Sequence, residues 1–330
     1  MTQYPPENED EMTELETGNP IYAFAAAADF IPGSRGTAYA ATASGLLTSQ
    51  DGGKTWSDAL ASLALREALP VTSLAVIHDP QSSGPQAHQT VIAGSMGGLF
   101  RSIDSGQTWQ MLVFPSPPPT VSALACSPKA HEDDLIFAGT MEDGVFTSQD
   151  GGRHWAAWNF GLLDLNVMSL AISPNFSNDE TLFAGTETGI FRSTNGGRAW
   201  RDIELPFGFD AVLSLTLSPD FEKDQTLYAG TESSGVWISA DSGKTWQPLG
   251  AFEEPVNAIL LSHTADAAHQ IVVVTSSEIW RSEDGQAWQP CLPEEYAGQE
   301  LSAFLAPQGI APGAVALAGF VDGQIVSFSI

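Results

Sequence analysis

The 330-residue sequence predicts an all-β fold, a seven-bladed β-propeller of four-stranded antiparallel blades, on three observations. A phrase of Ser, an acidic or amide residue two positions on, one or two Gly and then Trp recurs along the chain. Short apolar runs bounded by turn residues separate its copies. The whole unit also repeats almost word for word: SPNFSNDETLFAGTETGIFRSTNGGRAW (173–200) returns as SPDFEKDQTLYAGTESSGVWISADSGKTW (218–246). A period of this length marks a repeat architecture.

Each unit follows one plan. A small, apolar run comes first: IYAFAAAA (21–28), VTSLAVI (71–77), VSALACS (121–127), VMSLAIS (167–173), VLSLTLS (212–218), VNAILLS (256–262) and LSAFLAP (301–307). A polar connection with Pro, Asn or Asp leads to a second run such as TLFAGT (181–186) or TLYAGT (226–231). A third run opens after Gly, as in GLFRS (98–102), GVFTS (144–148) and GIFRS (189–193). The Ser–Asp–Gly–Trp phrase turns the chain into a short fourth run, as in TWQML (108–112) or AWRDI (199–203). Four short strands with turn chemistry between them read as one antiparallel sheet. The first and second runs are apolar on both faces, which suits strands buried between neighbouring sheets. Sheets of this kind set radially make a propeller.

Trp56, Trp109, Trp155, Trp200, Trp246 and Trp288 mark six units. The runs LSAFLAP, AVALAGF (314–320) and GQIVSFSI (323–330) supply three strands of a seventh. An unclosed ring leaves sheet edges unpaired, so the last blade is expected to borrow its fourth strand from the N-terminal segment, residues 11–17 (EMTELET). The competing expectation for the carboxylate-rich segment 1–18 is disorder. The expected organisation is therefore an acidic segment, 1–18, and one propeller, 19–330.

The phrase itself has a folding logic. The Ser hydroxyl and the Asp carboxylate can bond backbone amides of the turn. Gly supplies positive φ, and Trp packs its broad face on the adjoining sheet. The copies are Ser49, Asp51, Trp56; Ser102, Asp104, Trp109; Ser148, Asp150, Trp155; Ser193, Asn195, Trp200; Ser239, Asp241, Trp246; and Ser282, Asp284, Trp288. Asn195 replaces Asp in the fourth copy, which a turn tolerates and a catalytic carboxylate would not. The sixth copy is one residue short and predicts a tighter hairpin.

Bulk composition narrows the partners. Lys+Arg is 12 against Asp+Glu 40, a formal net charge of −28. Such a chain repels phosphate backbones and anionic lipid, which excludes a general nucleic-acid binder and favours either a plain solubility coat or a basic partner. Cys126 and Cys291 fall in different units, so no disulfide framework is expected. Residues 1–18 have no cationic start and no apolar run, and no run is long enough to cross a bilayer. The expectation is a monomeric, cytoplasmic propeller.

The six phrases resemble the Asp-box, or bacterial neuraminidase repeat, of sialidases, two-propeller xyloglucanases, sortilin-type receptors and photosystem II assembly factors. The resemblance covers roughly 20–330. It implies the propeller fold but spans enzymes, receptors and assembly factors alike. A sialidase-like site would need three Arg, a Tyr–Glu pair and an acid/base Asp on the face away from the phrases. Arg101, Arg192 and Arg281 instead each precede the Ser of a phrase, where the other units carry Thr48, Thr147 and Ile238. No sialidase constellation transfers.

A two-carboxylate glycosidase remains open, because sequence gives no carboxyl separation. The connections from second to third strand, and from each unit to the next, should share one face. They carry Glu142, Asp143, Glu187, Glu232 and Glu278, with Trp158, Phe160, Phe207, Phe209 and Tyr296 beside them. Further carboxylates there are Asp210, Glu253, Glu254, Glu294, Glu295 and Asp322, and further aromatics Phe114 and Phe252. That face suits a protein surface, a cationic peptide or a glycan. His78, His88, His131, His263 and His269 fall on the opposite connections, and His154 within a phrase. His131–Glu132–Asp133–Asp134 is contiguous on a loop, which does not make a coordination sphere. Neither metal nor cofactor is expected. The first function expected is a non-catalytic scaffold or assembly factor, and the second a carbohydrate-active propeller.

Overall fold

In the computed structural model, which describes residues 18–78, 89–112, 114, 117–262 and 270–330, the chain forms seven antiparallel sheets. Their first strands are Ile21–Ala26, Val71–Ile77, Thr120–Cys126, Val167–Ile172, Val212–Leu217, Val256–Leu261 and Leu301–Leu305, which define blades 1 to 7. Within each blade the strands pair in chain order. Blade 4, for example, runs Val167–Ile172, Leu182–Thr186, Ile190–Ser193, Arg201–Ile203. The fourth strands are only two or three residues long. Blade 7 has three strands among the described residues, ending on Ile325–Ser329. The expected closing strand at 11–17 lies outside the described residues. First strands of successive blades pack side by side, and Leu301–Leu305 lies along Ile21–Ala26, which closes the ring.

Second strands are almost wholly buried, as their apolar runs require. First strands also lie between neighbouring blades but are less completely buried than the second. Val167–Ile172 alternates buried and half-buried residues, with Leu170 and Ile172 packed on the core between blades 3 and 4 and Ala171 on the core between blades 4 and 5. The core is divided among the blade interfaces. Blades 3 and 4 enclose Phe137, Leu162, Phe176, Leu182 and Trp200, and blades 4 and 5 enclose Phe183, Val212, Phe221 and Trp246.

The Ala–Gly–Thr motif of the second strands has a steric cause. A Cβ at Gly185 would stand 2.8 Å from Val212 Cγ1, and one at Gly230 only 2.5 Å from Val256 Cγ1. The first valine of the next blade fills the space a side chain would need. Beside it Ser169 Oγ donates to Val212 O at 2.9 Å, and Ser214 Oγ to Val256 O at 3.1 Å. Ser73 Oγ donates likewise to Val121 O at 3.1 Å. Each of these serines follows a register shift at the start of its strand, which turns its hydroxyl toward the neighbouring blade.

Within the polar connections expected after the first strands, single-turn helices form in blades 3 to 5: Ala130–Asp133, Phe176–Asp179 and Phe221–Asp224. Ser173 Oγ donates to Asp179 Oδ2 at 2.6 Å and Asp179 Oδ1 accepts the Thr181 amide at 2.8 Å, closing the turn. Phe176 and Phe221 then stand edge-on to Phe137 and Phe183 at 5.7 and 5.9 Å.

Candidate functional site

Strand direction places two kinds of connection at opposite ends of the ring. The hairpins carrying the Ser–Asp–Trp phrase share one end with the connections from first to second strand. The turns from second to third strand share the other with the connections between blades.

At the hairpin end the polar groups are consumed locally. Ser49 Oγ donates to Asp51 Oδ1 at 2.9 Å and accepts the Gly53 amide at 2.8 Å. Asp51 also accepts the amides of Lys54 and Thr55, both at 3.0 Å, and the Thr55 hydroxyl at 2.7 Å. These donors, led by the Thr55 amide, lower the Asp51 pKa to about 2. Asp241 is lowered to about 2 in the same way, led by the Thr245 hydroxyl. In Asp150 burial opposes ionisation but is outweighed by bonds from His154 and Ser148, again giving about 2. Asn195 reproduces the pattern with its amide oxygen, taking Ser193 Oγ and the Ala199 amide, each at 2.9 Å.

The indoles complete the hairpins. Trp56, Trp109, Trp155 and Trp246 each donate Nε1–H to the carbonyl of the hairpin glycine three residues back. Trp200 reaches the Trp158 carbonyl of the preceding blade at 2.8 Å instead. The short sixth hairpin is tighter, with the Gly285 amide bonding Ser282 Oγ three residues back rather than four. Its Trp288 Nε1 is buried with no hydrogen-bond partner among the described residues.

At the turn end a different set of carboxylates holds the backbone. Asp164, in the connection to blade 4, accepts the Thr188 amide at 2.9 Å and its hydroxyl at 2.7 Å. Asp210, leading into blade 5, accepts the Ser233 and Ser234 amides at 3.1 and 2.7 Å. Glu254, leading into blade 6, accepts the Ser277 hydroxyl at 2.7 Å and its amide at 3.1 Å. Each acid caps the turn of the blade it enters. Hydrogen bonds led by the Ser277 hydroxyl lower the Glu254 pKa. Burial works against Asp164, but bonds from Asn166 and Thr188 outweigh it, and its pKa is also lowered.

The predicted face residues divide into groups. Glu142, Asp143, Glu187 and Glu232 are exposed on turns at this end. Asn166 joins two of these turns, accepting the Glu142 amide at 3.0 Å and donating to Glu187 Oε2 at 2.8 Å. Glu187 and Glu232 are equivalent in adjacent blades, their amides bonding Asn166 O and Ala211 O respectively. Glu278 turns inward, where Oε1 accepts the amides of Ile279 and Leu292 at 2.8 and 3.2 Å. Phe209 is 91% exposed, while Phe207 lies against Trp237 at 4.8 Å and Tyr296 against Phe320 at 5.8 Å.

Trp158 and Phe160, expected on the turn face, lie elsewhere. The Trp158 indole lies under the Arg198 guanidinium, 5.4 Å away, and Phe160 O accepts the Trp200 amide at 2.8 Å. Both sit at the rim against the hairpin of blade 4, because the fourth strand of blade 3 is only two residues long and the chain crosses to the next hairpin. The sequence does not single out Leu163, 82% exposed, or the Asp164 cap beside it, and it places Asp210 and Glu254 on this face without their capping role.

The two ends differ in charge. Of the 12 Lys and Arg, Arg66 alone lies in a connection at the turn end. Lys54, Arg153, Arg198 and Lys244 are in hairpins, and Arg35, Lys129 and Lys223 follow first strands. Arg101, Arg192, Arg201 and Arg281 sit at the hairpin ends of outer strands. Arg192 bonds Ser242 O at 3.3 Å and stacks 5.7 Å over Phe183, and Arg281 pairs with Glu283 at 3.4 Å, so these arginines are spent on separate blades. His131 lies in the helix after a first strand, and Asp133 beside it is bonded to Ser127 Oγ at 2.6 Å. His88, His263 and His269 lie outside the described residues.

No protein-family model matches the sequence, and no curated protein does. Solved structures match in fold. The GH74 enzyme of Niastella koreensis superposes with a TM-score of 0.72 at 18% identity, over 94% of this chain and 52% of that one. YCF48 bound to D1 peptide matches with a TM-score of 0.64 at 16% identity, over 96% of this chain and 95% of that one. The extracellular domain of a two component system from B. thetaiotaomicron matches at 0.68 and 15%, over 94% of this chain, which spans only 38% of that one. These neighbours share the propeller architecture with this chain.

Proposed function

We propose that this chain is a non-catalytic Asp-box propeller that works as a scaffold or assembly factor, holding another protein on its turn end. The observation that carries the reading is the charge asymmetry. Exposed Glu142, Asp143, Glu187 and Glu232 face solvent on a surface whose connections contain Arg66 as their one cation. A surface of one sign steers and retains a partner of the other. Two of the turn-end acids are also bonded in a way that suits holding the backbone rather than hydrolysis. Asp164 and Glu254 have lowered pKa values, whereas a general acid of a glycosidase needs a raised one. YCF48, of the same length class and fold, is a neighbour that carries a peptide.

The second reading, a carbohydrate-active propeller, is favoured by the fold shared with GH74 enzymes, one of them a xyloglucanase of Xanthomonas campestris. This chain spans 52% of that enzyme. One comparison separates the two. Cross-linked purification from the native host should recover a partner with wild type and lose it when Glu142, Glu187 and Glu232 are changed to Gln. Release of reducing ends from xyloglucan by the wild-type chain would overturn the scaffold reading.

A further inference from the structure

The turn end carries a second pattern that charge does not explain. Leu163 immediately precedes Asp164, the cap of the blade 4 turn, and is 82% exposed. Phe209 immediately precedes Asp210, the cap of the blade 5 turn, and is 91% exposed. In adjacent blades, then, an apolar side chain stands in water one residue before a carboxylate that is fastened to backbone amides. At the next blade the residue before the cap, Glu254, is the exposed Glu253.

Single exposed apolar residues are ordinary on protein surfaces. These two differ in how they are held. Asp164 bonds Thr188 and Asn166, and Leu165 O, one residue further, accepts the Gly144 amide at 2.9 Å. Asp210 bonds two consecutive amides, and Ala211 O accepts the Glu232 amide at 2.9 Å. Before them the Leu162 amide bonds Asn159 O at 3.0 Å and the Gly208 amide bonds Leu205 O at 3.3 Å, so both apolar residues project from hydrogen-bonded backbone and a partner that covers them orders little chain in doing so. Each is also framed by acid: Glu142, Asp143 and Glu187 lie on the turns bonded to 159–166, and Glu232 on the turn bonded to Asp210–Ala211.

The geometry points to a docking surface across blades 4 and 5 for a segment of a partner protein that combines two apolar side chains with flanking lysines or arginines. This rests on the reading of the turn end as a binding face and adds the chemistry of what binds there. The apolar side chains cover Leu163 and Phe209, and the cations meet the exposed carboxylates of Glu187, Glu232 and Glu142. Charge complementarity selects this occupant over an acidic peptide or a nucleic acid, both of which the same frame repels.

The test uses the full chain and fluorescein-labelled peptides read by anisotropy: one of lysines with two leucines, one with the leucines changed to serine. Leu163→Ser with Phe209→Ser should weaken the lysine–leucine peptide about tenfold, or 1.4 kcal/mol, and leave the lysine–serine peptide unchanged. Melting of that variant should match wild type, since both side chains are exposed. Equal binding of both peptides, with loss only on Glu187→Gln and Glu232→Gln, would overturn the inference and leave an acidic binding face standing. Failure of every peptide together with indifference to the glutamine variants would remove the binding face as well. A neutral glucan oligosaccharide whose binding is lost on Leu163→Ser with Phe209→Ser would overturn the inference in favour of a sugar platform.

Discussion

Ser169 Oγ donates to the backbone carbonyl of Val212 at 2.9 Å, tying the first strand of blade 4 to the first residue of blade 5. The same link joins Ser214 to Val256 and Ser73 to Val121. Together with a glycine on the second strand that admits the neighbouring valine, it makes blades 2, 4 and 5 templates for the blades that follow them.

Gly185→Ala tests that template. The new Cβ would meet Val212 Cγ1 at 2.8 Å and lie closer still to Ser169 Oγ, both fixed by the ring. Overpacking of this kind costs about 1–3 kcal/mol, readable as a lowered denaturation midpoint. Ser169→Ala, which removes the hydrogen bond without a clash, should cost about 1 kcal/mol.

The hairpin tryptophans should not be equivalent. Trp200 is 3% exposed and bonds the Trp158 carbonyl. Trp200→Ala should therefore cost roughly 3–5 kcal/mol. Trp288 is half-buried and its Nε1 has no partner among the described residues, so its replacement by Phe, which removes that donor, should cost less than Trp200→Phe in the same assay.

Acid stability follows from the hairpin carboxylates. Asp51, Asp150 and Asp241 fall from an ordinary 3.8 to about 2 in the fold. A folded pKa below the unfolded one means that the stabilisation is complete above the unfolded value and is lost as pH falls through the folded one. Equilibrium unfolding followed by tryptophan fluorescence should show this contribution intact above pH of about 4 and lost toward about 2. Asp51→Asn should flatten the slope in that window, since Asn195 shows that an amide holds the same turn.

The two cysteines should be poor nucleophiles in the native state. Burial, with Asp133 next, pushes the Cys126 thiol up to about 12, and burial, with Glu278 next, pushes Cys291 to about 11. Thiol labelling at pH of about 8 should be slow until denaturant is added, then complete at both sites.

Blade number and strand order were legible because hairpin chemistry is local: Ser49, Asp51, Gly53 and Trp56 bond one another within eight residues, and each copy announces itself. Buried second strands were legible for the same reason. Links between blades were not, because Ser169 and Val212 are 43 residues apart and neither is unusual alone. The caps were hidden by a shift of one position: Asp164 stands three residues before Val167, whereas Asp210 and Glu254 stand two before Val212 and Val256. Glu278 read as a free surface acid because nothing local shows its carboxylate turning back to the amides of Ile279 and Leu292. Trp158 and Phe160 were misplaced because a two-residue strand ends sooner than its sequence neighbours suggest.

The proposed binding at the turn end is tested most directly by hydrogen exchange of the full chain with and without the lysine–leucine peptide. Slowed exchange confined to 159–166, 187–189, 204–211 and 232–235, with the six hairpins unchanged, is the predicted result. Slowed exchange in the hairpins with none in those four segments would contradict it.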